Sequence, residues 1–443
     1  MKKILFIYPS SYDSQHHIIK SRKSFIPSRT LPYLAALTPK RFEVRIIDEV
    51  VDNINFDEDT DLVLLTGMLR HIPRAIDIAK EFRKHRKPSI IGGVGAFAIR
   101  DTIIKSGAFD SHIVGEVDNL WESILDDFDK GQLKAQYECT NPPSLDGLPP
   151  ARFDLLDRKK YLSAFWNIKN SIVLIETSRG CPRDCKFCLV TKYFGKKMRY
   201  RPIGEVVEEI KHHGSKFVMF TDDNIAVNPA RARELFLVLK PLNIQWLAQF
   251  ETSVASQPEL LQLAYESGCA SAFVGIESLT HSNLNSINKL QNTKMAFKDI
   301  VKNFKEARIP LLASLIFGMD DDTLDSIDWT IEEMIQNKVG AIIPWLLTPI
   351  PGTLSYDELK KEGRLLHENY SQYDFSQAVF RPKHMTPDEL ERAFWKGMNR
   401  FYNPSIIFKR FFPPEMEDIP GLLYHIYFYW KIRKGIHPFD SVY

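Results

Sequence analysis

Short apolar runs, five to eight residues long and bounded by turn-forming residues, recur along the whole chain with helical patterns between them. The first five are Lys3-Ile-Leu-Phe-Ile-Tyr8, Phe42-Glu-Val-Arg-Ile-Ile-Asp48, Asp61-Leu-Val-Leu-Leu-Thr-Gly67, Ser89-Ile-Ile-Gly-Gly93 and His112-Ile-Val-Gly-Glu116. Helical spacing separates them, as at 31–37 and 73–82. Strands that are apolar on both faces and alternate with helices predict a parallel sheet covered on both sides. Residues 1–135 are therefore expected to form an α/β domain of Rossmann type, a doubly wound parallel sheet.

A second series follows at 172–177, 216–221, 244–251, 272–278, 311–318 and 341–347, with helices at 203–210, 258–264 and after Asp320 to Thr323. Six β/α units with right-handed crossovers predict a partial (β/α)6 barrel of TIM type over residues 166–355, open on one side for a large substrate. Residues 136–165 read as a linker and 356–443 as a mostly helical C-terminal region.

Chemistry enters at the head of the second series. Cys181-Pro-Arg-Asp-Cys185-Lys-Phe-Cys188 places three cysteines at C-x3-C-x2-C spacing, just after a strand and the turn residue Gly180. Three thiolates at this spacing fold a loop around one face of an iron–sulfur cluster. A four-iron cluster held by three cysteines keeps one iron open to activate a small molecule. A structural zinc site would want a fourth Cys or His, and the nearest, His212 and His213, sit on a predicted helix. A ferredoxin-type cluster would want a fourth nearby cysteine, but Cys139 and Cys269 are remote. Five cysteines in 443 residues, behind an opening Met-Lys-Lys-Ile-Leu-Phe-Ile that reads as a strand and not a signal peptide, fit a reducing, cytoplasmic setting.

The C-x3-C-x-aromatic-C loop resembles that of the radical S-adenosylmethionine superfamily. The resemblance implies that Cys181, Cys185 and Cys188 ligate a 4Fe-4S cluster and that S-adenosylmethionine chelates its open iron. It further implies that Phe187 packs near the adenine, and that electron transfer from a reducing partner such as flavodoxin or ferredoxin releases a 5′-deoxyadenosyl radical. Asp222 and Asp223 end the strand at 216–221, and on the sequence alone they read equally as capping or turn residues before Pro229. The resemblance makes both contacts of the S-adenosylmethionine amino group. It also places Glu277, in a Gly-Ile-Glu-Ser strand, on the cofactor side of the site.

In the first domain Gly67, Gly92, Gly93 and Gly115 fall at the carboxyl ends of strands, where α/β sheets take ligands and a missing Cβ admits a bulky one. The Gly92-Gly93 turn, the Gly115-Glu116 pair and the segment 144–152 resemble the cobalamin-binding domain that precedes the radical domain in one branch of the superfamily. The resemblance implies cobalamin against Gly67, Gly92, Gly93, Gly115 and Glu116. The loop after the first strand, Asp13-Ser-Gln-His16-His17, departs from the Asp-x-His-x-x-Gly pattern that supplies a histidine to cobalt. Either cobalamin binds without a histidine beneath it, the favoured reading, or the domain has lost cobalamin, and His16 and His17 are expected to be loop residues.

Charge alters the picture little. Lys+Arg 58 against Asp+Glu 56 gives no basic block that would argue for nucleic acid. No apolar run approaches the roughly 18 residues needed to span a bilayer. No cysteine precedes Cys139, which excludes the RNA-thiolating branch with its second, N-terminal cluster. The aromatic and basic stretches 405–412 and 422–431 suit either packing over the barrel or contact with a membrane surface. The expected activity is methylation of an unactivated carbon in a natural-product, lipid or tetrapyrrole-type small molecule. Radical cyclisation, ring contraction or oxidation is the alternative, and a non-catalytic iron–sulfur or cobalamin sensor is the reading from another class. Gln249, Glu251 and Trp345 lie near predicted strand ends and suit either substrate contact or barrel filling.

Overall fold

The computed structural model of the chain describes residues 1–161, 172–411 and 419–437, and the side chains of 419–424 are not part of that description. Of the expected features, 162–171 (the end of the linker and the start of the barrel), Phe412 and the side chains of Leu422 to Tyr424 lie outside the described residues.

The N-terminal sheet comprises β1 (Lys2–Tyr8), β2 (Phe42–Asp48), β3 (Leu62–Thr66), β4 (Ser89–Gly92), β5 (Ser111–Val114) and β6 (Gln136–Glu138). Its order is β2-β1-β3-β4-β5-β6 and every pairing is parallel. This is doubly wound order, with the reversal of direction between β1 and β3. The helix Ile72–Lys84 covers one face through Ile72, Ala75, Ile78, Ala79 and Phe82, a single helical stripe. The helices Thr30–Leu37 and Trp121–Asp129 cover the other. The sheet runs past residue 135 because β6 pairs with β5, and three residues are too few for their pattern to announce a strand.

The second sheet begins with β7 (Val173–Ile175) and is followed by a short antiparallel ribbon, β8 (Ser178–Arg179) with β9 (Arg199–Tyr200). It continues through β10 (Phe217–Phe220), β11 (Gln245–Phe250), β12 (Cys269–Glu277), β13 (Leu311–Phe317) and β14 (Ala341–Leu346). The strands lie side by side in chain order from β7 to β14, all parallel, and among the described residues no further strand pairs with either end. That is the connectivity of a partial (β/α)6 barrel. The helix after β13, Leu324–Gln336, starts on a Thr323 and Ser326 capping box.

The C-terminal region closes the open side at β14. Tyr402 Oη donates to Ile342 O at 2.6 Å and accepts from Ile342 N–H at 3.2 Å. Phe375 O accepts from Leu346 N–H at 2.8 Å, a His437 ring nitrogen lies 3.1 Å from Pro344 O, and Arg410 donates to Val339 O at 2.7 Å. An edge strand's free backbone groups are thereby satisfied. The same region also packs on the first domain, where Tyr370, Tyr373 and Val379 join the core beside Ile72–Lys84. The basic and aromatic stretches thus supply packing: Arg410 and Ile407 are buried on one helix, and His425, Phe428 and Ile432 on the next.

Candidate functional site

The cysteine loop leaves β8 through Gly180, whose φ of +98° is one that L side chains rarely adopt and whose added Cβ would lie 2.6 Å from Lys197 O. Cys181 N–H donates to Gly195 O at 3.3 Å and Cys188 N–H to Cys185 O at 3.1 Å, curling the loop on itself. Lys186 N–H bonds Ile287 O and Lys186 O accepts from Ser355 N–H, both at 3.1 Å, which fastens the loop to the barrel. Burial pushes all three thiols up, Cys188 to about 12, and the charge of Cys181 is felt at both Cys185 and Cys188. Backbone N–H groups of Arg183 and Val190 point at the sulfurs of Cys181 and Cys188. Among the described residues no three Cys, His, Asp or Glu side chains converge tightly enough for a single ion. Three neighbouring thiols, half-buried and two of them met by amide donors, suit a cluster that binds each at a separate iron.

Ion pairs flank the loop. Arg183, between the first two cysteines, grips Glu251 at the end of β11 with two bonds of 2.8 and 2.6 Å. Lys289 pairs with Glu277 and lies 5.9 Å from the centroid of the Phe187 ring. Glu277 ends β12 at φ +64°, unusual for a side-chain-bearing residue, and sits at a register shift in the β12–β13 pairing. Gly275 makes room for the pair, since a Cβ there would lie 2.5 Å from Glu277 Oε1 and 2.7 Å from Lys289 Nζ. Asn292 donates to Gly275 O at 2.8 Å and Ile276 O at 2.9 Å, fixing the bend.

The two expected aspartates have different environments. Asp222 is buried and accepts from Thr177 N–H at 3.0 Å, Thr177 Oγ1 at 2.7 Å and the Ser178 hydroxyl. Its carboxylate laces the end of β10 to β7 and β8. Asp223 makes no hydrogen bond or ion pair among the described residues, and its charge reaches Cys181 and Cys188. Burial, then the charges of Asp222 and Glu176, push its carboxyl up to about 7. Asn224 beside it is buried with Oδ1 unpartnered. Gln249 is half-buried on β11, whereas Trp345 stacks on His437 at 4.7 Å under the C-terminal region.

The first domain meets this site through its strand ends. Arg179 of β8 is buried and binds Glu116 at 2.7 Å, Asp118 at 2.8 Å and Glu176 at 3.0 Å. Arg199 of β9 takes Glu116 again at 2.6 Å, so both Glu116 oxygens are occupied. Tyr193 Oη donates to Gly115 O at 3.0 Å, and its ring meets Phe97 edge-on at 5.3 Å. The glycines at these ends are already explained by internal packing. A Cβ on Gly67 would lie 2.8 Å from His71 Cβ, on Gly92 3.3 Å from Ile113, on Gly93 2.3 Å from Thr66 Oγ1 and on Gly115 3.3 Å from Cys139 Cβ. Tyr8, Met68, Gly93, Phe97 and Gly115 remain half-buried and form an apolar rim at the strand ends, the place where such sheets take ligands. His16 stacks on Tyr12 at 3.9 Å and His17 pairs with Asp13 in the exposed loop, while His71 Nδ1 accepts from Met68 N–H at 3.0 Å.

Residues 175–334 match the model of the radical SAM superfamily, and residues 353–416 match a domain of unknown function (DUF4070). The chain is 30% identical over 417 residues to bacteriochlorophyllide d C-12(1)-methyltransferase of Chlorobaculum tepidum, covering 92% of this chain and 89% of that protein. The chain belongs to the radical SAM superfamily. It is 26% identical to bacteriochlorophyllide d C-8(2)-methyltransferase of the same organism, across 87% of this chain and 92% of that one. The radical SAM methyltransferase TsrM from Kitasatospora setae, solved with cobalamin and a [4Fe-4S] cluster bound, superposes at TM-score 0.70 with 14% identity, over 98% of this chain and all of that one. The described residues of this chain therefore share the fold of that enzyme. Membership of the radical SAM superfamily brings S-adenosylmethionine and a [4Fe-4S] cluster as cofactors.

Sequence reasoning missed Arg183, Asn224 and Lys289. Arg183 lay in plain sight within the motif, but its partner Glu251 is 68 residues away. Lys289 follows β12 in a loop and short helix whose pattern gives no sign of a pair with Glu277.

Proposed function

We propose that this radical SAM protein is a cobalamin-dependent methyltransferase acting on a carbon of a tetrapyrrole-type substrate. The observation that carries the reading is the abutment of two sites: the cysteine loop and the ligand-taking ends of the first sheet are joined by Arg179, Arg199 and Tyr193. The end-to-end similarity to two bacteriochlorophyllide methyltransferases supports the substrate class. Bound there, S-adenosylmethionine with its cluster supplies the radical chemistry and cobalamin the methyl group.

The chain's own residues do the rest. Cys181, Cys185 and Cys188 hold the cluster. Asp223 and the Asn224 Oδ1 atom are the free acceptors available to an ammonium group at the end of β10. Asp222 is a positioning residue that holds that strand end against Thr177 and Ser178. The pairs Arg183–Glu251 and Lys289–Glu277 fix the loop from two sides, and Lys289 sets a cation beside Phe187. Tyr8, Met68 and Phe97 offer apolar surface to a large planar ligand, whose burial is favourable roughly in proportion to apolar area. Cobalamin fits this rim without histidine ligation, because His71 Nδ1 is spent on the backbone and His16 and His17 lie in the loop.

The test uses anaerobically reconstituted protein supplied with hydroxocobalamin, then desalted. It is given a bacteriochlorophyllide, a reductant and S-adenosylmethionine carrying a trideuterated methyl group. Retained cobalamin together with a product heavier by one trideuteromethyl group supports the reading. Substrate consumed with no gain of label assigns a cyclisation or oxidation instead.

A further inference from the structure

Among the described residues, the helix Ile419–Arg433 buries one apolar side and leaves a second exposed. His425, Phe428 and Ile432, spaced for one face, are each about 3% exposed and pack into the barrel core or against Tyr402. Ile426 and Trp430, spaced for the opposite face, are 52% and 62% exposed, and Ile436 just past the helix is 38% exposed. A helix that is apolar all round is normally covered on every side. Arg433 and Lys434 are exposed where this outer stripe ends, with Lys431 between the two faces over the Tyr427 ring. Lys409 and Phe408 are exposed on the adjoining helix Pro404–Phe411, which packs against this one. No carboxylate occurs in 404–411 or 419–437; Glu415, Glu417 and Asp418 fall in the intervening segment, outside the described residues.

We propose that this outer face lies on the surface of an anionic phospholipid bilayer. Exposed tryptophan and aliphatic side chains ringed by Lys and Arg match the interfacial region, where rings sit at headgroup depth and cations meet phosphate. A second copy of the chain fits less well. The face carries Lys409, Arg433 and Lys434 and its described helices hold no carboxylate that a mate could offer these cations. The contact is peripheral, since no helix among the described residues is long and apolar enough to cross a membrane. The inference does not depend on the catalytic reading.

The full chain is sedimented at low salt with vesicles of phosphatidylcholine alone and of phosphatidylcholine mixed with phosphatidylglycerol. Binding is expected only to the mixed vesicles, with release near 1 M salt, where the screening length falls to about 3 Å. Arg433→Gln with Lys434→Gln should weaken binding about 30-fold, from roughly 1 kcal/mol for each cation near the surface. Ile426→Glu with Trp430→Glu should abolish it with an unchanged circular dichroism spectrum, because both side chains are exposed. Wild-type protein that stays in the supernatant with mixed vesicles overturns the proposal. So does binding that survives the double glutamate variant, or a concentration-dependent dimer that this variant dissolves.

Discussion

Replacing Arg179 by methionine keeps most of the aliphatic stem and removes the cation on which three buried carboxylates converge. Glu116 would retain Arg199 and Glu176 would retain Arg29 at 3.3 Å, but Asp118 would lose its cation and keep the neutral Tyr33 hydroxyl and its own backbone N–H. Losing one partner of a buried pair typically costs about 3–5 kcal/mol, because the other charge is stranded. The pH dependence identifies the stranded group. In the wild type, burial favours a raised Asp118 pKa, but Arg179 and Tyr33 outweigh it and hold the carboxyl below its usual value. That contribution to stability is present above about pH 4 and is lost as pH falls through the folded pKa. Without Arg179 burial prevails and the folded pKa rises. The stabilisation is then present below about pH 4 and lost as pH climbs. The gap between wild type and Arg179→Met should therefore be widest near pH 7 and shrink toward pH 4. Adding Asp118→Asn should recover about 1–3 kcal/mol, the cost of leaving a buried polar group unsatisfied. The assay is urea unfolding of the cluster-free protein, read on its first transition because the two sheets need not unfold together. A loss under about 1 kcal/mol, a gap that grows on acidification, or a double variant worse than the single one refutes the reasoning.

Cys185→Ala should leave the fold intact while iron content after reconstitution falls and S-adenosylmethionine cleavage to 5′-deoxyadenosine is abolished; retained cleavage would remove the cysteine loop from the chemistry. Gly180→Ala forces a side chain to φ +98° and within 2.6 Å of Lys197 O, so a thermal shift equivalent to about 1–3 kcal/mol and poorer cluster retention are expected. An unchanged melting temperature would show that the loop entrance is softer than it looks. Asp223 has a raised folded pKa of about 7, so the stability it contributes is full below about pH 4 and lost as pH rises through 7. Asp223→Asn in the cluster-free protein should thus match wild type at pH 4 and melt higher at pH 8, and the reverse order at pH 8 would mean that its carboxylate has a cationic partner.

Most of the strands were legible because parallel sheets buried on both faces demand continuous apolar runs, and Phe42–Asp48 falls where its pattern puts it. The strand β6 was not, because Gln136–Glu138 is three residues long and holds its place only by pairing with β5. The meeting of three thiols in one loop was legible because their spacing is local in sequence. Glu116 and Asp222 were read toward ligands from their strand-end position. Their oxygens are instead filled by Arg179 and Arg199, and by Thr177 and Ser178, partners 44 to 83 residues away. The glycines carry the same lesson. Positive φ and lack of a Cβ at Gly93 and Gly115 serve Thr66 and Cys139 before any ligand.

The barrel's two free edges explain why the similarity to the methyltransferases runs the length of the chain and does not stop at the six strands. An open parallel sheet leaves backbone donors and acceptors unpaired along its outer strands, a liability that must be covered. At β14 the C-terminal region supplies Tyr402, Phe375, His437 and Arg410. On the β7 flank, Ile26, Tyr33, Ala151 and Phe153 join the barrel core, and Arg29 reaches Glu176 at the end of the strand. The wall that holds the cysteines is thus completed on one side by residues before the barrel and on the other by residues after it. A barrel cut out at 166–355 would lose both covers and the Arg179 contacts to Glu116 and Asp118 at once.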